Sequence, residues 1–298
     1  MSNLEISRAQ RLDQKVITLI PSLSRSFAAR LIEDGKVTVN GTVQTKPGYK
    51  LRDTDEVTVD FDVSKLEQIP DIELEILYED EDCVVINKPV GVLSHSKGAF
   101  NPEATVATWL RRHIAQAQKP AAQEDNPQSS AGNRAGIVHR LDRATSGVMI
   151  CAKTPSALSW LQKQFATRNV KKTYAAVITG TLNPQEAIID MPIGRNPKAP
   201  ATFRVDPQGK HARTTYKTIA TNGTHSLIEL SPETGRTHQL RVHLVNQHHP
   251  IVGDTLYGGE PAERLYLHAE RLEITIAKNH ERKIFTAPVP AMFRVLVA

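Results

Sequence analysis

The segment from Gly136 to Lys153, GIVHRLDRATSGVMICAK, constrains the fold of this chain more than any other segment. Two apolar runs, Gly136–Val138 and Val148–Cys151, flank a polar turn. The polar residues of the turn are His139, Arg140, Asp142, Arg143, Thr145 and Ser146. Short apolar runs of this kind are typical of strands that are buried on both faces. The pattern predicts two core strands that hold the polar turn on a rigid frame.

Asp142 is the residue of this turn that is best suited to take part in a chemical reaction. It lies between Arg140 and Arg143, whose positive charges favour an ionised carboxylate. An ionised carboxylate on a fixed turn can act as a nucleophile, a general base or a metal ligand. It can equally cap the turn and pair with arginine for structural reasons. The local sequence leaves both interpretations open.

The same turn resembles the signature of a known family. HRLDRATSG, from His139 to Gly147, closely resembles the HRLD-x-x-TSG motif of the large-ribosomal-subunit pseudouridine synthases, which are RNA uridine isomerases. Three further segments agree with that family in order: Asn87–Val92 (NKPVGV), Lys171–Ala175 (KKTYA) and Gly235–His243 (GRTHQLRVH). The resemblance covers roughly residues 75–290, and its long motifs are very specific.

The resemblance implies that the chain converts uridine in RNA to pseudouridine. That reaction breaks the N1–C1′ bond, turns the base and rejoins it through C5. Nothing is oxidised and no group is added, so no cofactor is expected. The reaction requires an anionic oxygen near C1′, a hold on the detached base and a base for the C5 proton. Asp142 is the candidate for the first role; whether it attacks C1′ or deprotonates the ribose to give a glycal stays open.

The resemblance also implies roles for four other residues. Arg236 matches the family arginine that pairs with the aspartate, although an RNA phosphate is an alternative partner. Tyr174 matches the tyrosine that packs on the uracil, and its phenol could take the C5 proton. Leu267 matches an apolar residue that closes the base pocket. For both Tyr174 and Leu267, an ordinary core position is the alternative. Arg140 matches the arginine that fills the gap left by the flipped nucleotide.

One position departs from the family. Ala144 stands where many members have an aspartate. Asp142 itself is present, so we expect the reaction to be the same and only the neighbouring contacts to differ.

The first sixty residues resemble the S4 RNA-binding module. Ser24–Asp34 has the pattern of a short helix that a serine caps and Gly35 ends. Lys36–Gly41 reads as a strand that enters an Asn-Gly turn, which favours the positive φ of a type I′ hairpin. Glu56–Phe61 alternates apolar and polar residues, as a half-buried strand does.

The resemblance divides the chain into three parts. Residues 1–62 are the S4-like domain, residues 63–75 an acidic linker, and residues 76–298 the catalytic domain. Three basic residues at exposed positions of the S4-like domain are expected to contact RNA phosphates: Arg25, Arg30 and Lys36.

The distribution of charge supports an anionic partner. Residues 66–82 carry eight acids and no base, whereas residues 83–298 carry a net charge of +12. A segment with this much net positive charge attracts a polyanion, and RNA is the commonest polyanion in the cytoplasm. A basic surface that serves only solubility is the alternative.

The predicted elements of the catalytic part indicate an α+β fold with a mainly antiparallel sheet. Strands and helices mix without a regular βαβ rhythm. The family resemblance implies the same class, a long bent sheet with a central cleft. The predicted elements are a strand at Cys83–Asn87, a helix opened by Asn101 and Pro102, a loop at Lys119–Arg134, a helix opened by Thr154 and Pro155, and strands at Tyr174–Thr179 and Ser226–Leu230.

Other features exclude several classes of protein. Cys83 and Cys151 lie in apolar runs without a CxxC pair, as expected of buried thiols in a reducing compartment. The N-terminus lacks the apolar core of a secretory signal, and no apolar run approaches the ~20 residues of a membrane span. We therefore expect the protein to be located in the cytoplasm.

The histidines of the chain do not predict a metal site. His238 and His243 have no HExxH pattern or carboxylate cluster around them, so no metal site is expected.

Two functions of other classes compete with the leading hypothesis. A non-catalytic S4-type RNA-binding protein would not need Asp142, Tyr174 and Arg236 together. A hydrolase that used Asp142 would lack the second carboxylate of a glycosidase. Within the synthase hypothesis, the S4-like module favours 23S ribosomal RNA, with transfer RNA as the alternative substrate. No obligate protein partner is inferred.

Overall fold

The computed structural model describes residues 10–20, 23, 25–62, 70–96, 103–117 and 136–298. The chain forms two compact units. One unit comprises Met1–Ile72 and His95–Ala135, and the other comprises Glu73–Ser94 and Gly136–Ala298. The second unit is described throughout.

The N-terminal part of the first unit is a small α/β module. It contains α1 (Leu12–Leu19), α2 (Arg25–Glu33), β1 (Val37–Val39), β2 (Thr42–Val43) and β3 (Val57–Val59), with sheet order β2-β1-β3. The predicted helix, hairpin and strand are confirmed, and Asn40 and Gly41 both have positive φ as the turn requires. The predicted cap, Ser24, lies outside the described residues.

The helix α3 (Val106–Ala117) also belongs to the first unit. Its cap is Thr105, whose hydroxyl accepts a hydrogen bond from the Thr108 amide while the Thr108 hydroxyl accepts one from the Thr105 amide. The helix therefore begins four residues after the Asn101-Pro102 pair that was expected to open it, and that pair lies outside the described residues. The predicted loop Lys119–Arg134 lies outside them as well.

The second unit is built on a nine-stranded sheet. Its strands are β4 (Glu75–Glu79), β5 (Cys83–Lys88), β6 (Ser146–Ala152), β7 (Lys171–Thr179), β8 (Glu186–Asp190), β11 (Arg213–Thr221), β12 (His225–Pro232), β13 (Leu267–Thr275) and β14 (Arg282–Thr286). The strand order is β4-β5-β6-β13-β7-β12-β11-β8, and β14 also pairs with β13. All of these pairings are antiparallel except β13 with β6, which confirms the expected class.

The remaining elements of this unit flank the sheet. They are α4 (Pro155–Ala166), the paired strands β9 (Ile193–Arg195) and β10 (Phe203–Val205), α5 (Gln239–Asn246), the 3-10 helix Thr255–Tyr257 and α6 (Ala291–Val295). Thr154 caps α4 by accepting the Ala157 amide, as its Thr-Pro start predicted. Cys83 and Cys151 are buried free thiols. Among the described helices, none is long and apolar enough to cross a membrane.

One of the two strands predicted around the polar turn is not a strand. Val148–Cys151 lies in β6, which is buried along its whole length. Gly136–Val138 makes only a single bridge, Ile137 with Cys151. The apolar side of this segment is still used, because Ile137 is buried, but positive φ at Gly136 turns the backbone away from regular pairing.

Gly147 permits the only parallel contact in the sheet of the second unit. It has φ +115°, and a Cβ at this position would lie 2.1 Å from the carbonyl oxygen of Ala269 on β13. No side chain fits there. The TSG motif therefore ends in glycine because β6 and β13 approach each other backbone to backbone.

Replacing Gly147 by alanine is expected to destabilise the protein by about 3 kcal/mol, because the methyl group adds a backbone clash to an unfavourable φ. Gly223→Ala is the matched control. Its φ is +89° and no atom lies within 4 Å of the position that a Cβ would take, so only the conformational cost of about 1 kcal/mol applies. Thermal unfolding of the full chain measures both, and equal losses would show that the close approach is unimportant.

Candidate active site

The residues expected to act in the catalytic part come together around one cavity of about 450 Å³ in the second unit. The lining includes all five of them: Arg140, Asp142, Tyr174, Arg236 and Leu267. They come from four places along the chain: the turn before β6, β7, the loop before α5, and β13. The cavity therefore lies beside β6, β13 and β7, which are neighbours in the middle of the sheet.

The turn that carries Asp142 is anchored by a buried lysine. Lys88 is fully buried, and its Nζ donates to the carbonyls of Pro89 at 2.8 Å and Val92 at 2.9 Å, with that of Arg143 at 3.5 Å. Burial lowers the pKa of Lys88 to about 8, and the negative charge of Asp142 opposes this effect. The NKPVG segment is thereby bound to the HRLD turn.

Hydrogen bonds from a second loop complete the anchoring. The Ser94 hydroxyl donates to the Leu141 carbonyl at 2.7 Å and accepts the Leu141 amide at 3.1 Å. The amide of Gly91 donates to the Arg143 carbonyl at 2.8 Å. Both neighbours of Asp142 in the chain are therefore held by their backbone, which leaves its side chain free to face the cavity.

His139 stabilises the turn from its other side. Its Nε2 accepts the Ile150 amide at 3.1 Å, and its ring stacks on Phe165 with 4.6 Å between centroids. Burial, and to a lesser degree the charge of Lys172, lowers the pKa of His139 to about 3. His139 is thus a neutral structural residue.

Asp142 is surrounded by two arginines and a histidine without being hydrogen-bonded to them. Its carboxylate oxygens lie 3.7 Å from Arg140 Nη2, 3.8 Å from His238 Nε2 and 4.0 Å from Arg241 Nη1. These distances exceed those of hydrogen bonds. Its side chain is 21% exposed, toward the cavity it lines. The charge is compensated while the oxygens stay available to a substrate.

The expected pairing of Arg236 with Asp142 is not formed. Arg236 lines the cavity, but its Nε donates to the His211 carbonyl at 2.9 Å. The arginine of the GRTHQLRVH motif that approaches Asp142 is Arg241, five residues further on. The motif contains two arginines, and the chain folds so that the second one, on α5, reaches the carboxylate.

Arg241 is itself held by a buried ion pair. Its Nε and Nη2 donate to Asp254 at 2.7 and 2.6 Å, and both side chains are buried. A paired geometry of this kind fixes the plane of the guanidinium. Arg241 therefore keeps a defined position beside Asp142, and sequence reasoning assigned no role to either Arg241 or Asp254.

Gln239 organises the loop that leads into α5. Its Oε1 accepts from the Thr234 hydroxyl at 2.6 Å and the Arg236 amide at 3.0 Å. Its Nε2 donates to the Arg213 carbonyl and the Thr214 hydroxyl, each at 3.0 Å. All of its hydrogen-bonding capacity is used inside the protein, so its role is structural.

His238 connects Asp142 to a tyrosine that the sequence did not suggest. Its Nδ1 lies 2.7 Å from the Tyr257 hydroxyl, which accepts the Phe203 amide at 2.9 Å. The hydrogen bond to Tyr257 therefore fixes the plane of the imidazole, with Nε2 on the side of Asp142. Burial lowers the pKa of His238, although Asp142 opposes the effect, so the ring is neutral at neutral pH.

The other histidine of the motif is also occupied by protein groups. His243 is buried, with Nδ1 3.0 Å from the Thr214 hydroxyl and Nε2 3.0 Å from the Met191 carbonyl. In the part of the chain that the structure describes, no group of three or more His, Cys, Asp and Glu could hold a metal ion.

Tyr174 and Leu267 also line the cavity. Burial first, and the charge of Asp142 second, raise the pKa of Tyr174, so its phenol is protonated at neutral pH. Leu267 is only 3% exposed and pairs with Ala176 across β13 and β7. Each residue therefore contributes to the core and also presents part of its surface to the cavity.

The three basic residues expected to contact RNA belong to the first unit. Arg25 Nε donates to Asp13 at 2.9 Å, and Lys36 Nζ donates to Asp60 at 3.0 Å. Arg30 is exposed. The ion pairs leave Arg25 and Lys36 more than half exposed.

Comparison with known proteins identifies the family. The profile of the RNA pseudouridylate synthases matches residues 82–246, which is more than half of the chain. The chain belongs to this family. The profile of the S4 domain matches residues 10–57. Both resemblances seen in the sequence are confirmed, and the protein is an RNA pseudouridine synthase with an S4 domain.

Proteins of known name are similar over most of the chain. Ribosomal large subunit pseudouridine synthase D of Vibrio parahaemolyticus is 38% identical over 94% of this chain and 88% of its own length. The protein of the same name from Escherichia coli strain K12 is 38% identical over 85% of this chain and 74% of its own.

A solved structure has the same fold over most of the chain. Human RNA pseudouridylate synthase domain containing 1 superposes with a TM-score of 0.57 at 28% identity, covering 72% of this chain and 83% of that one. The α+β class with a mainly antiparallel sheet is thus confirmed as the fold of this synthase.

Tyr257→Phe tests the link between His238 and the cavity. The change removes the hydroxyl that bonds both His238 Nδ1 and the Phe203 amide, so we expect kcat to fall about tenfold. Tyr216→Phe is the control, because it loses a hydrogen bond to the Pro184 carbonyl outside the cavity. Single-turnover rates of pseudouridine formation decide. The same rate for both variants would show that the Tyr257 hydroxyl has no part in the reaction.

Proposed function

We propose that this synthase modifies uridines of large-subunit ribosomal RNA, the 23S rRNA, in the cytoplasm. The observation that carries the proposal is the similarity to relatives named for the large ribosomal subunit, at 38% identity over 94% of the chain. The S4 domain at residues 10–57 and the net charge of +12 over residues 83–298 support a structured RNA as substrate.

The experiment that tests this proposal is tritium release from C5-labelled uridine in RNA. Unmodified 23S rRNA, 16S rRNA and transfer RNA are incubated separately with the purified protein. Release from 23S rRNA alone supports the proposal. Release from transfer RNA in its place would make the protein a transfer RNA synthase, and the absence of release from 23S rRNA would refute the ribosomal assignment.

We assign the central chemical role to Asp142. The arrangement that supports this is a carboxylate that faces the cavity, with the guanidinium groups of Arg140 and Arg241 and the imidazole of His238 at 3.7–4.0 Å but no hydrogen bond from them. An oxygen in that state can attack C1′ or remove a ribose proton, and either route begins the isomerisation. Arg241 and His238 would hold the carboxylate in its direction throughout the cycle.

The other residues of the cavity have roles that follow from their chemistry. Tyr174 would stack on the uracil, and its protonated phenol would have to give up its own proton before it could accept the one from C5. Leu267 would close the base pocket. Arg140 is 46% exposed and would occupy the gap left by the flipped nucleotide. Arg236, which is tied to a carbonyl and not to Asp142, would contact the RNA backbone.

The S4 domain would add affinity for RNA, while chemistry stays in the second unit. We retain the division into residues 1–62, 63–75 and 76–298 as a proposal. Arg25, Arg30 and Lys36 are exposed cations of that domain that would contact phosphates. Each such contact contributes about one unit to the slope of log affinity against log salt.

Asp142→Asn is expected to lower pseudouridine formation by about a thousandfold or more, because the amide has no anionic oxygen. The variant should fold and bind RNA, since the loss of one anion does not weaken attraction to phosphate. Asp206→Asn is the matched control: its side chain is 22% exposed and pairs with Arg204, but it does not line the cavity. A folded Asp142→Asn protein with a comparable rate would end the mechanism proposed here.

Tyr174→Phe is expected to bind RNA within about twofold of the wild type and to lose product formation, because the ring keeps its stacking surface and loses the hydroxyl. Tyr174→Leu removes the ring as well and should weaken binding also. RNA affinity and chemical labelling of pseudouridine separate the two effects. An active Phe variant would leave stacking as the only role of this residue.

A further inference from the structure

The cavity around Asp142 extends to a part of the protein that the proposed mechanism does not use. Phe165, Ala166 and Arg168, at the C-terminal end of α4, line it together with Lys172 on β7. A volume of about 450 Å³ lies in the range of pockets that hold drug-sized ligands, which are larger than a single nucleobase. The site therefore has room for more of the RNA than the target base.

Lys172 lies next to the position proposed for the uracil. Lys172 and Tyr174 are two residues apart on β7, so both side chains project from the same face of the strand, and both line the cavity. Two residues along a strand span roughly 7 Å. A group bound by Lys172 would thus lie about one nucleotide away from a base stacked on Tyr174.

This end of the cavity carries positive charge that no carboxylate of the described residues neutralises. Lys172 Nζ donates to the Thr234 carbonyl at 3.1 Å, and neither it nor Arg168 lies within 4.0 Å of a described carboxylate. The nearby acids are already engaged: Glu233 lies 3.4 Å from Arg213, and Glu273 pairs with Lys171 and Arg282.

The backbone keeps the two cations in place. Arg168 follows the end of α4 with φ +59°, a left-handed conformation that usually belongs to glycine at this position. The Arg168 amide bonds to the Phe165 carbonyl and that of Asn169 to Gln164, so the turn is closed. The pKa of Lys172 is lowered to about 8 by burial, and the charge of Arg168 adds to the effect. An anion bound between Arg168 and Lys172 would reduce the repulsion between the two cations and stabilise the charged form of Lys172.

We propose that Arg168 and Lys172 form a subsite for a backbone phosphate next to the target uridine. This inference rests on the proposed function of the same cavity and adds the part of the substrate that these residues recognise. The guanidinium offers several N–H donors and the ammonium a compact charge, a pair of groups suited to a phosphate monoanion. The contact fixes where the RNA backbone runs relative to Asp142.

The test is a cycle of protein and RNA changes. The substrate is a short RNA that the wild-type protein converts, prepared with one uncharged methylphosphonate linkage at each position around the target uridine in turn. Arg168→Gln and Lys172→Gln should each raise KM about tenfold on the all-phosphate RNA. At one linkage, the methylphosphonate should cost the wild type about tenfold and cost these variants nothing further.

Two further variants make the test specific. Lys171→Gln, next in the chain but paired with Glu273, should behave as the wild type at every linkage. Lys172→Arg keeps the charge and should keep the sensitivity to the same linkage. Arg168 is exposed, so its variant is expected to fold even if Lys172→Gln is unstable by its melting curve.

If the wild type is active but the losses caused by the variant and by the methylphosphonate are additive at every linkage, the proposed phosphate subsite is wrong. Non-additivity at a single linkage supports it and names the phosphate. If the wild type converts transfer RNA and not 23S rRNA, the ribosomal proposal fails. The cycle is then run on that transfer RNA and still decides the subsite.

Discussion

The position of the turn that carries Asp142 depends on one buried ammonium group, that of Lys88. Lys88 has no access to solvent and replaces its hydration with the carbonyls of Pro89 and Val92 and the more distant one of Arg143. A buried cation that loses its partners costs roughly 3–5 kcal/mol, so the two loops that supply these carbonyls are bound to one arrangement. The side chain of Asp142, between them, can then stay free of internal hydrogen bonds.

The charged and polar groups around Asp142 are likewise held in position by other residues. Asp254 holds Arg241, and Tyr257 holds His238, while both held groups stand 3.8–4.0 Å from Asp142. Arg241 and His238 are thus each oriented by a residue behind them and not by the carboxylate. Preorganised groups of this kind need not rearrange when charge moves during a reaction.

The elements that local patterns predicted are largely those observed, with two instructive differences. The helix cap at Thr154, the Asn40-Gly41 turn and the fully buried run of β6 depend on neighbouring residues, and all were confirmed. Gly136–Val138 has the composition of a strand but makes a single bridge, since strand pairing depends on a partner that the run itself does not specify. The helix α3 begins at Val106, where Thr105 and Thr108 cap it through reciprocal hydrogen bonds.

The sequence by itself determined the class of fold, the family and the carboxylate on which the chemistry is proposed to depend, because motif and hydrophobic pattern are properties of short segments. Only the tertiary structure decided which arginine of GRTHQLRVH approaches Asp142, where Arg241 takes the place expected for Arg236. It also brought in Tyr257, which belongs to no recognised motif. The physical reason is distance along the chain: these residues lie about a hundred positions from Asp142, and only the packing of α5 and its following turn against the sheet sets which side chain arrives there.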